Sequence, residues 1–162
     1  MEPTSVWDAR GQRALPWVLF AIAAALIVAR IVSSQMGERA PEASLVRWVP
    51  IDASHAIAKR TGKPIMYDFT AAWCGPCHAL EDAVFRNRKL AEMINDRFVP
   101  VRVTDRKRED GANAPNVQAL QDRFGVRAFP TIVFADGDGV VKQRMEGFRG
   151  AETFAQMAEA VR

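Results

Sequence analysis

The stretch Trp73-Cys74-Gly75-Pro76-Cys77 decides the interpretation of this 162-residue chain. Its two cysteines are the only ones in the sequence. A disulfide between them closes a very short loop, so it restricts the unfolded chain little and is a poor structural cross-link. The pair therefore favours a chemical use, and a C-x-x-C between a predicted strand and a predicted helix is typical of reversible dithiol–disulfide exchange.

The composition is that of a folded domain with an appendage. Apolar residues make up 49% of the chain and charged residues 25%, which excludes global disorder. The formal net charge is only +3, and the densest cationic run, at residues 106–108, is flanked by Asp105, Glu109 and Asp110. Since no basic patch with interleaved aromatic residues is present, we predict no nucleic-acid partner.

An N-terminal apolar run predicts a membrane anchor at residues 14–33. This run carries a single charge, Arg30, and as a helix it spans about 30 Å, the thickness of the hydrocarbon core of a bilayer. Trp17 near one end and Arg30 near the other suit the membrane interfaces. The alternative is a signal peptide cleaved near Ser34, but the length of the run and the position of Arg30 disfavour it.

The anchor divides the rest of the chain. Arg10 and Arg13 abut its start, which places residues 1–13 in the cytoplasm as a short tail. Residues 34–45 are mostly small and polar and are predicted to be a linker, and residues 46–162 are predicted to form the domain. We therefore expect a single-pass protein of a bacterial inner membrane whose C-terminal domain lies in the periplasm, where disulfide chemistry has substrates.

The predicted order of elements is βαβαβαββα, with strands at residues 46–51, 64–70, 98–104, 131–135 and 140–146. Helices are predicted at residues 54–60, 74–95 with an interruption near Asn87, 117–124 and 151–161, and residues 105–115 are predicted to form a loop. Strands separated by helices pair in parallel, whereas the turn at residues 136–139, Asp-Gly-Asp-Gly, predicts an antiparallel edge. We expect an α/β domain with a mixed central sheet flanked by helices.

Three separated motifs in this domain resemble the thioredoxin superfamily. They are the motif at residues 73–77, Asp68 six residues before Cys74, and residues 125–131, Gly-Val-Arg-Ala-Phe-Pro-Thr, which are similar to the family's cis-proline segment. Gly75-Pro76 is the pair found in thioredoxin itself. Other details look most like the C-terminal domain of DsbD-type thiol:disulfide interchange proteins: residues 62–66, Phe85, residues 103–104, 146–148 and 151–154.

The resemblance implies a thioredoxin fold and three catalytic residues. Cys74, at a helix N-terminus that stabilises its thiolate, is expected to be the exposed nucleophile. Cys77 is expected to be the buried resolving thiol, which attacks the mixed disulfide. Asp68 is expected to lie buried beneath the cysteines and exchange a proton with Cys77, the alternative being a carboxylate on the solvent face of its strand.

The resemblance also implies a substrate-binding surface made of Trp73, Gly75, Pro76, Phe129 and Pro130. Trp73 and Phe129 are expected to frame the substrate, although Trp73 as a core residue is the alternative. Pro130 is expected to be cis, with a trans turn proline as the alternative. The backbone of Phe129 is then expected to present an edge to an extended substrate strand.

Other chemistries fit the cysteine pair less well. Residues 74–78 match the C-x-x-C-H pattern of haem attachment, but haem explains neither Asp68 nor the cis-proline segment. Zinc needs four ligands, and the chain offers only the two cysteines with His78 and His55. We therefore expect no cofactor and no metal; His78 is either an electrostatic influence on the thiolate or only a polar helix position.

The sequence thus predicts a membrane-anchored thiol–disulfide oxidoreductase, a reductase rather than an oxidase, that acts on protein disulfides through Cys74 and Cys77. Because the anchor contains no cysteine and no second cysteine pair is present, a separate membrane thiol protein is expected to donate the electrons. Two alternatives remain: a partner-specific reductase in cytochrome c maturation, and a non-catalytic module with the same fold that binds clients or carries haem.

Overall fold

The computed structural model describes residues 19–28 and 44–161, which belong to two separate units. Residues 19–28 are helical, designated α1, and the large apolar side chains of this helix are exposed: Leu19, Phe20, Ile22, Leu26, Ile27 and Val28. No helix within the described ranges is both long enough and apolar enough to cross a membrane. The predicted tail, both ends of the predicted anchor and most of the predicted linker lie outside the described residues.

The second unit alternates helices and strands. Its strands are β1 Ile65–Ala71, β2 Val99–Asp105, β3 Thr131–Ala135 and β4 Val141–Glu146. Its helices are α2 Ile51–Thr61, α3 Gly75–Leu80, α4 Arg88–Arg97, α5 Lys107–Asp110, α6 Pro115–Arg123 and α7 Ala151–Ala160. A π-helical turn, Glu81–Phe85, joins α3 to α4.

The four strands form one mixed sheet in the order β2-β1-β3-β4. Strand β1 runs parallel to β2, with Asp68 opposite Arg102, and antiparallel to β3. Strand β4 pairs with β3 in the antiparallel sense, as the Asp-Gly-Asp-Gly turn predicts. The predicted mixed sheet flanked by helices is confirmed, but the expectation that strands separated by helices pair in parallel is wrong for β1 and β3, which are antiparallel.

Two predicted elements are wrong. Residues 46–51 form no strand: the N–H of Val49 donates to the Pro100 carbonyl at 2.8 Å, but Pro50 has no N–H to continue a ladder, and α2 begins at Ile51. The predicted loop at residues 105–115 contains the short helix α5.

Side-chain alternation along β1 sorts the core onto two faces of the sheet. Tyr67 and Phe69 point to the face covered by α2 and α6, where Phe124 packs against both rings. Met66 points to the other face, into a cluster that contains Phe85 of the π-helical turn. Asp68 is two residues from Met66, so it points to that same face, on which the polypeptide after Cys77 lies.

Candidate active site

Cys74 and Cys77 form a disulfide, with their Cα atoms 5.2 Å apart. Cys74 is the N-cap of α3 and has an extended backbone, while Pro76 lies in the first turn of that helix, where the missing N–H is not needed. The backbone N–H of Cys77 points at the Sγ of Cys74, at 3.2 Å. An N–H donor and the positive end of the helix dipole both favour negative charge on that sulfur.

Both cysteines are buried in this oxidised form. Cys77 is 6% exposed, as predicted, but Cys74 is only 3% exposed, so the prediction of an exposed Cys74 is wrong for the disulfide state. The reason is that Ala71 and Phe129 pack against the pair in a small apolar cluster.

Aromatic rings and the active-site turn surround the disulfide. The Phe129-Pro130 peptide bond is cis, as predicted, and the ring of Phe129 lies edge-on to that of Trp73 with their centroids 5.8 Å apart. Trp73 is 44% exposed, so the core alternative for this residue is wrong. Gly75 and Pro76 are also exposed; their substrate-binding role stays a prediction.

Asp68 lies in the core of the domain and pairs with Arg102. It is 1% exposed, so the solvent-face alternative is wrong. Its Oδ2 accepts a hydrogen bond from Nε of Arg102 at 3.0 Å, and Nη2 of Arg102 donates to Oε2 of Glu81 at 2.6 Å. Among the residues described between 44 and 161, no group hydrogen-bonds to the buried Oδ1 of Asp68.

Burial raises the pKa of Asp68 to about 6. The charge and the hydrogen bond of Arg102 oppose this rise, and the negative charge of Glu81 adds to it. Without Arg102 the carboxyl would stay protonated to a still higher pH. Asp68 therefore changes its protonation state close to neutral pH, where a proton donor and acceptor is most useful.

A pocket of about 210 Å³ joins the carboxylate to the disulfide. Its lining includes Asp68, Cys77, Glu81 and Arg102. The pocket has room for water molecules and the charged groups of Asp68, Glu81 and Arg102 to bind them, and a proton can pass between a carboxyl group and a thiol through one water. The pocket therefore supplies a path between Asp68 and Cys77.

Glu81 and Arg102 are site residues that were not predicted from the sequence. Glu81 follows Cys77 by four residues, so helical spacing already puts both on one face. Arg102 takes one of the positions that alternate with the valines of its strand, so the pattern alone suggests an ordinary solvent-facing charge. Its contact with Asp68 depends on the register of β1 against β2, which the sequence pattern does not specify.

The two histidines make other contacts. Nε2 of His78 lies 3.0 Å from the carbonyl oxygen of Ala72, and this side chain is exposed. The ring of His55 lies between the hydroxyl of Tyr67 and the carbonyl oxygen of Gly137, at 3.3 and 3.1 Å. Tyr67 points to the opposite face of the sheet from Asp68, so His55 does not join the cysteines in a four-ligand zinc site.

We expect Asp68→Asn to stabilise the oxidised fold most above pH 6. The folded pKa is raised, so the folded chain holds this proton more tightly than the unfolded chain. Wild-type stability therefore falls as pH rises from about 4 to about 6, whereas the amide does not titrate. The advantage of the variant should reach about 1–3 kcal/mol at neutral pH.

Urea unfolding of the oxidised proteins between about pH 4 and 8 measures this difference. Asp96→Asn, on the exposed face of α4, is the control and should show no such trend. A stability difference between Asp68→Asn and wild type that does not vary with pH would contradict a raised pKa at Asp68.

Comparison with known proteins places this geometry in a family. Residues 51–162 match the thioredoxin-like domain family. Over 107 residues, 64% of this chain, the sequence is 32% identical to the thiol:disulfide interchange protein DsbD of Shigella boydii, and the match covers 18% of that protein. The likeness to DsbD is thus to one part of a much longer chain.

Solved structures agree. A thioredoxin from Thermus thermophilus superposes with a TM-score of 0.59 and 25% identity, over 70% of this chain and 85% of that chain. The oxidised C-terminal domain of DsbD from Neisseria meningitidis superposes with a TM-score of 0.52 and 26% identity, over 69% and 90% of the two chains. The predicted relationship is confirmed: this chain belongs to the thioredoxin-like domain family and carries the redox disulfide of a thiol–disulfide oxidoreductase.

Proposed function

We propose that this protein is a membrane-anchored reductase of protein disulfides that works outside the cytoplasm. The observation that carries the proposal is the Cys74–Cys77 disulfide at a helix start, above a pocket that also contains the buried carboxyl of Asp68. The similarity to proteins named thiol:disulfide interchange proteins supports the same reaction class.

The reaction starts from the dithiol form. The Cys74 thiolate attacks one sulfur of a client disulfide, a new S–S bond joins Cys74 to the client, and the second client sulfur leaves as a thiolate. Cys77 then loses its proton and attacks Sγ of Cys74, which closes the Cys74–Cys77 disulfide and releases the first client sulfur. In total, two electrons and two protons pass to the client.

Asp68 is the base that removes the proton from Cys77. Its Oδ1, which has no hydrogen-bond partner among residues 44–161, accepts the proton, directly or through a water in the pocket that both residues line. Arg102 has a positioning role: it holds the other carboxylate oxygen at 3.0 Å and keeps the carboxyl ionised at neutral pH.

The client docks across the rim formed by Trp73, Phe129 and the exposed Gly75-Pro76 turn. An extended client segment runs beside Phe129 and hydrogen-bonds to its backbone, which brings the client sulfur to Cys74. Cys74 is covered in the oxidised form, so Phe129, which packs against the disulfide, must shift when a donor thiol attacks Cys74 to reduce it again.

The anchor is supported by the exposed apolar helix α1 within the uncharged run at residues 14–29. It holds the domain at the outer face of the inner membrane, near a membrane protein that donates electrons through its own thiols. Tethering both proteins to one membrane raises their effective concentration.

The two cysteines are expected to differ in their mutant behaviour. Cys74→Ser should abolish reduction of insulin disulfides, because the attacking thiolate is gone. Cys77→Ser should accumulate a mixed disulfide between Cys74 and the client, visible on a non-reducing gel. The double variant is the control. If Cys74→Ser forms the mixed disulfide and Cys77→Ser does not, the roles are reversed.

Asp68→Asn should change the pH–rate profile of turnover. Only the ionised carboxylate accepts a proton, so the wild-type rate should rise as pH increases through about 6, near the pKa of Asp68. In the variant this rise should be absent, and the rate near neutral pH should fall about tenfold or more. Arg102 still has Glu81 as its partner in the variant. The profile is measured between about pH 5 and 8, with Asp96→Asn as the control, and unchanged profiles would remove Asp68 from the mechanism.

Topology and electron supply test the proposed location. Alkaline phosphatase fused after residue 162 should be active, because this reporter needs the periplasm to form its disulfides. Thiol trapping of cells should find Cys74 and Cys77 reduced, and oxidised once the membrane thiol donor is deleted. An inactive phosphatase fusion, or cysteines that stay reduced without any membrane donor, would overturn this arrangement.

A further inference from the structure

The segment between β2 and α6 is a closed loop, defined here as the residue 106–113 loop. Asp105 at its base is buried and accepts hydrogen bonds from Nδ2 of Asn113 at 2.7 Å, Nε2 of Gln121 at 3.0 Å and the N–H of Lys107 at 3.1 Å. The N–H of Arg106 donates to Oδ1 of Asn113 at 2.7 Å. These bonds join the two ends of the loop to each other and to α6.

The anchoring carboxylate stays ionised at neutral pH. Burial alone would raise the pKa of Asp105, but the hydrogen bonds from Asn113 and Gln121 outweigh it, so the pKa is lowered. The hydrogen bonds from Asn113 and Gln121 to Asp105 therefore persist across the pH range in which a cysteine thiolate reacts. They hold the ends of the loop, and so the position of its exposed side chains, in place.

This loop places a cation on the rim of the active site. The guanidinium carbon of Arg108 lies 3.7 Å from the centroid of the Trp73 ring, within the range of a cation–π contact. The Trp73 ring in turn meets Phe129, which packs against the disulfide. A continuous set of contacts thus runs from Arg108 to the redox centre.

Within the described part of the domain, the guanidinium of Arg108 forms no ion pair. Asp110 pairs with Arg106, and Glu109 also acts on Arg106. Within residues 44–161, no carboxylate oxygen lies within 4.0 Å of the Arg108 guanidinium nitrogens. A ring under the guanidinium face leaves the N–H donors at its edge, where they fit a carboxylate.

We propose that Arg108 is a specificity-determining residue that selects client proteins with a carboxylate side chain beside the disulfide. This inference rests on the proposed function, since it concerns the client of that same reaction. A client sulfur that reaches Cys74 must cross the Trp73–Phe129 rim, so the residues next to the client cysteine come within reach of Arg108. Stacking on Trp73 already orders the Arg108 side chain, which lowers the entropy lost when it binds a carboxylate.

The test compares three disulfide peptides that differ only in the residues beside the cysteines: Glu, Gln or Lys. The full-length chain is reduced with dithiothreitol, freed of it, and mixed with each peptide, and the second-order rate of peptide reduction is measured. Arg108→Gln, Arg108→Glu and the wild type are compared. Arg60→Gln is the matched control, because it removes the same charge at the far end of β1 from Cys74.

The wild type should reduce the Glu peptide fastest. Arg108→Gln should slow the Glu peptide about two- to fivefold and leave the Gln peptide unchanged, and Arg108→Glu should prefer the Lys peptide. The preference should disappear at about 1 M salt, where charges are screened within about 3 Å. Arg60→Gln should behave as the wild type.

Two results would overturn the inference alone. One is equal wild-type rates for the three peptides; the other is an equal loss for all three in Arg108→Gln, which would mean that Arg108 acts on the Cys74 thiolate or on the fold. In both cases the reductase function stands. If the wild type reduces none of the peptides, the proposed function itself is wrong and the inference falls with it.

Discussion

A carboxylate in the middle of a buried strand is the constraint on which the active site depends. Asp68 belongs to the central strand of the sheet, which is covered on both faces. A charge taken out of water there is unfavourable by several kcal/mol unless it has a partner. Arg102 from the neighbouring strand and Glu81 from the π-helical turn, both partly exposed, leave the charge of the buried Asp68 only partly compensated.

The incomplete compensation of the Asp68 charge is what suits this carboxyl to the proposed proton transfer, because its pKa is about 6. A fully paired aspartate has a low pKa and holds no proton at neutral pH. An unpaired one in the same place stays protonated. Arg102 also contacts Trp48 and Phe85, with its guanidinium carbon 4.1 and 5.3 Å from their ring centroids, so aromatic packing sets where the compensating charge lies. In the proposed mechanism, the stability lost at Asp68 supports proton transfer at the cysteines.

The Cys74–Cys77 disulfide is covered by apolar side chains, and an exposed rim that contains Trp73 lies beside it. The disulfide lies under Phe129, while Trp73 stands open to solvent beside it. Apolar cover limits contact of the sulfurs with water, and in the proposed function the rim offers aromatic surface and backbone edges to a protein client. The residue 106–113 loop adds the cation of Arg108 to that rim, so the proposed recognition and the thiol chemistry would use different residues a short distance apart.

Much of this could be predicted because the decisive signals are local. The C-x-x-C motif at a strand–helix junction, the acid six residues before it, the Phe129-Pro130 segment and the alternation of apolar runs are read within short windows of sequence. The strand predicted at residues 46–51 failed for a local reason as well: its apolar residues pack into both core clusters, but Pro50 cannot donate to a ladder.

The sequence by itself determined the α/β fold class from the order of its elements and the redox pair from the C-x-x-C motif, and its resemblance to the thioredoxin superfamily added the expectation of a buried acid at Asp68. Only the tertiary structure decided that Arg102 pairs with both Asp68 and Glu81, that Cys74 is covered in the disulfide state, and that Arg108 stacks on Trp73. These are contacts between residues distant in sequence, set by strand register, by the π-helical turn and by a loop closed on a buried carboxylate. Local patterns do not carry that information, since register and loop closure depend on how whole elements pack.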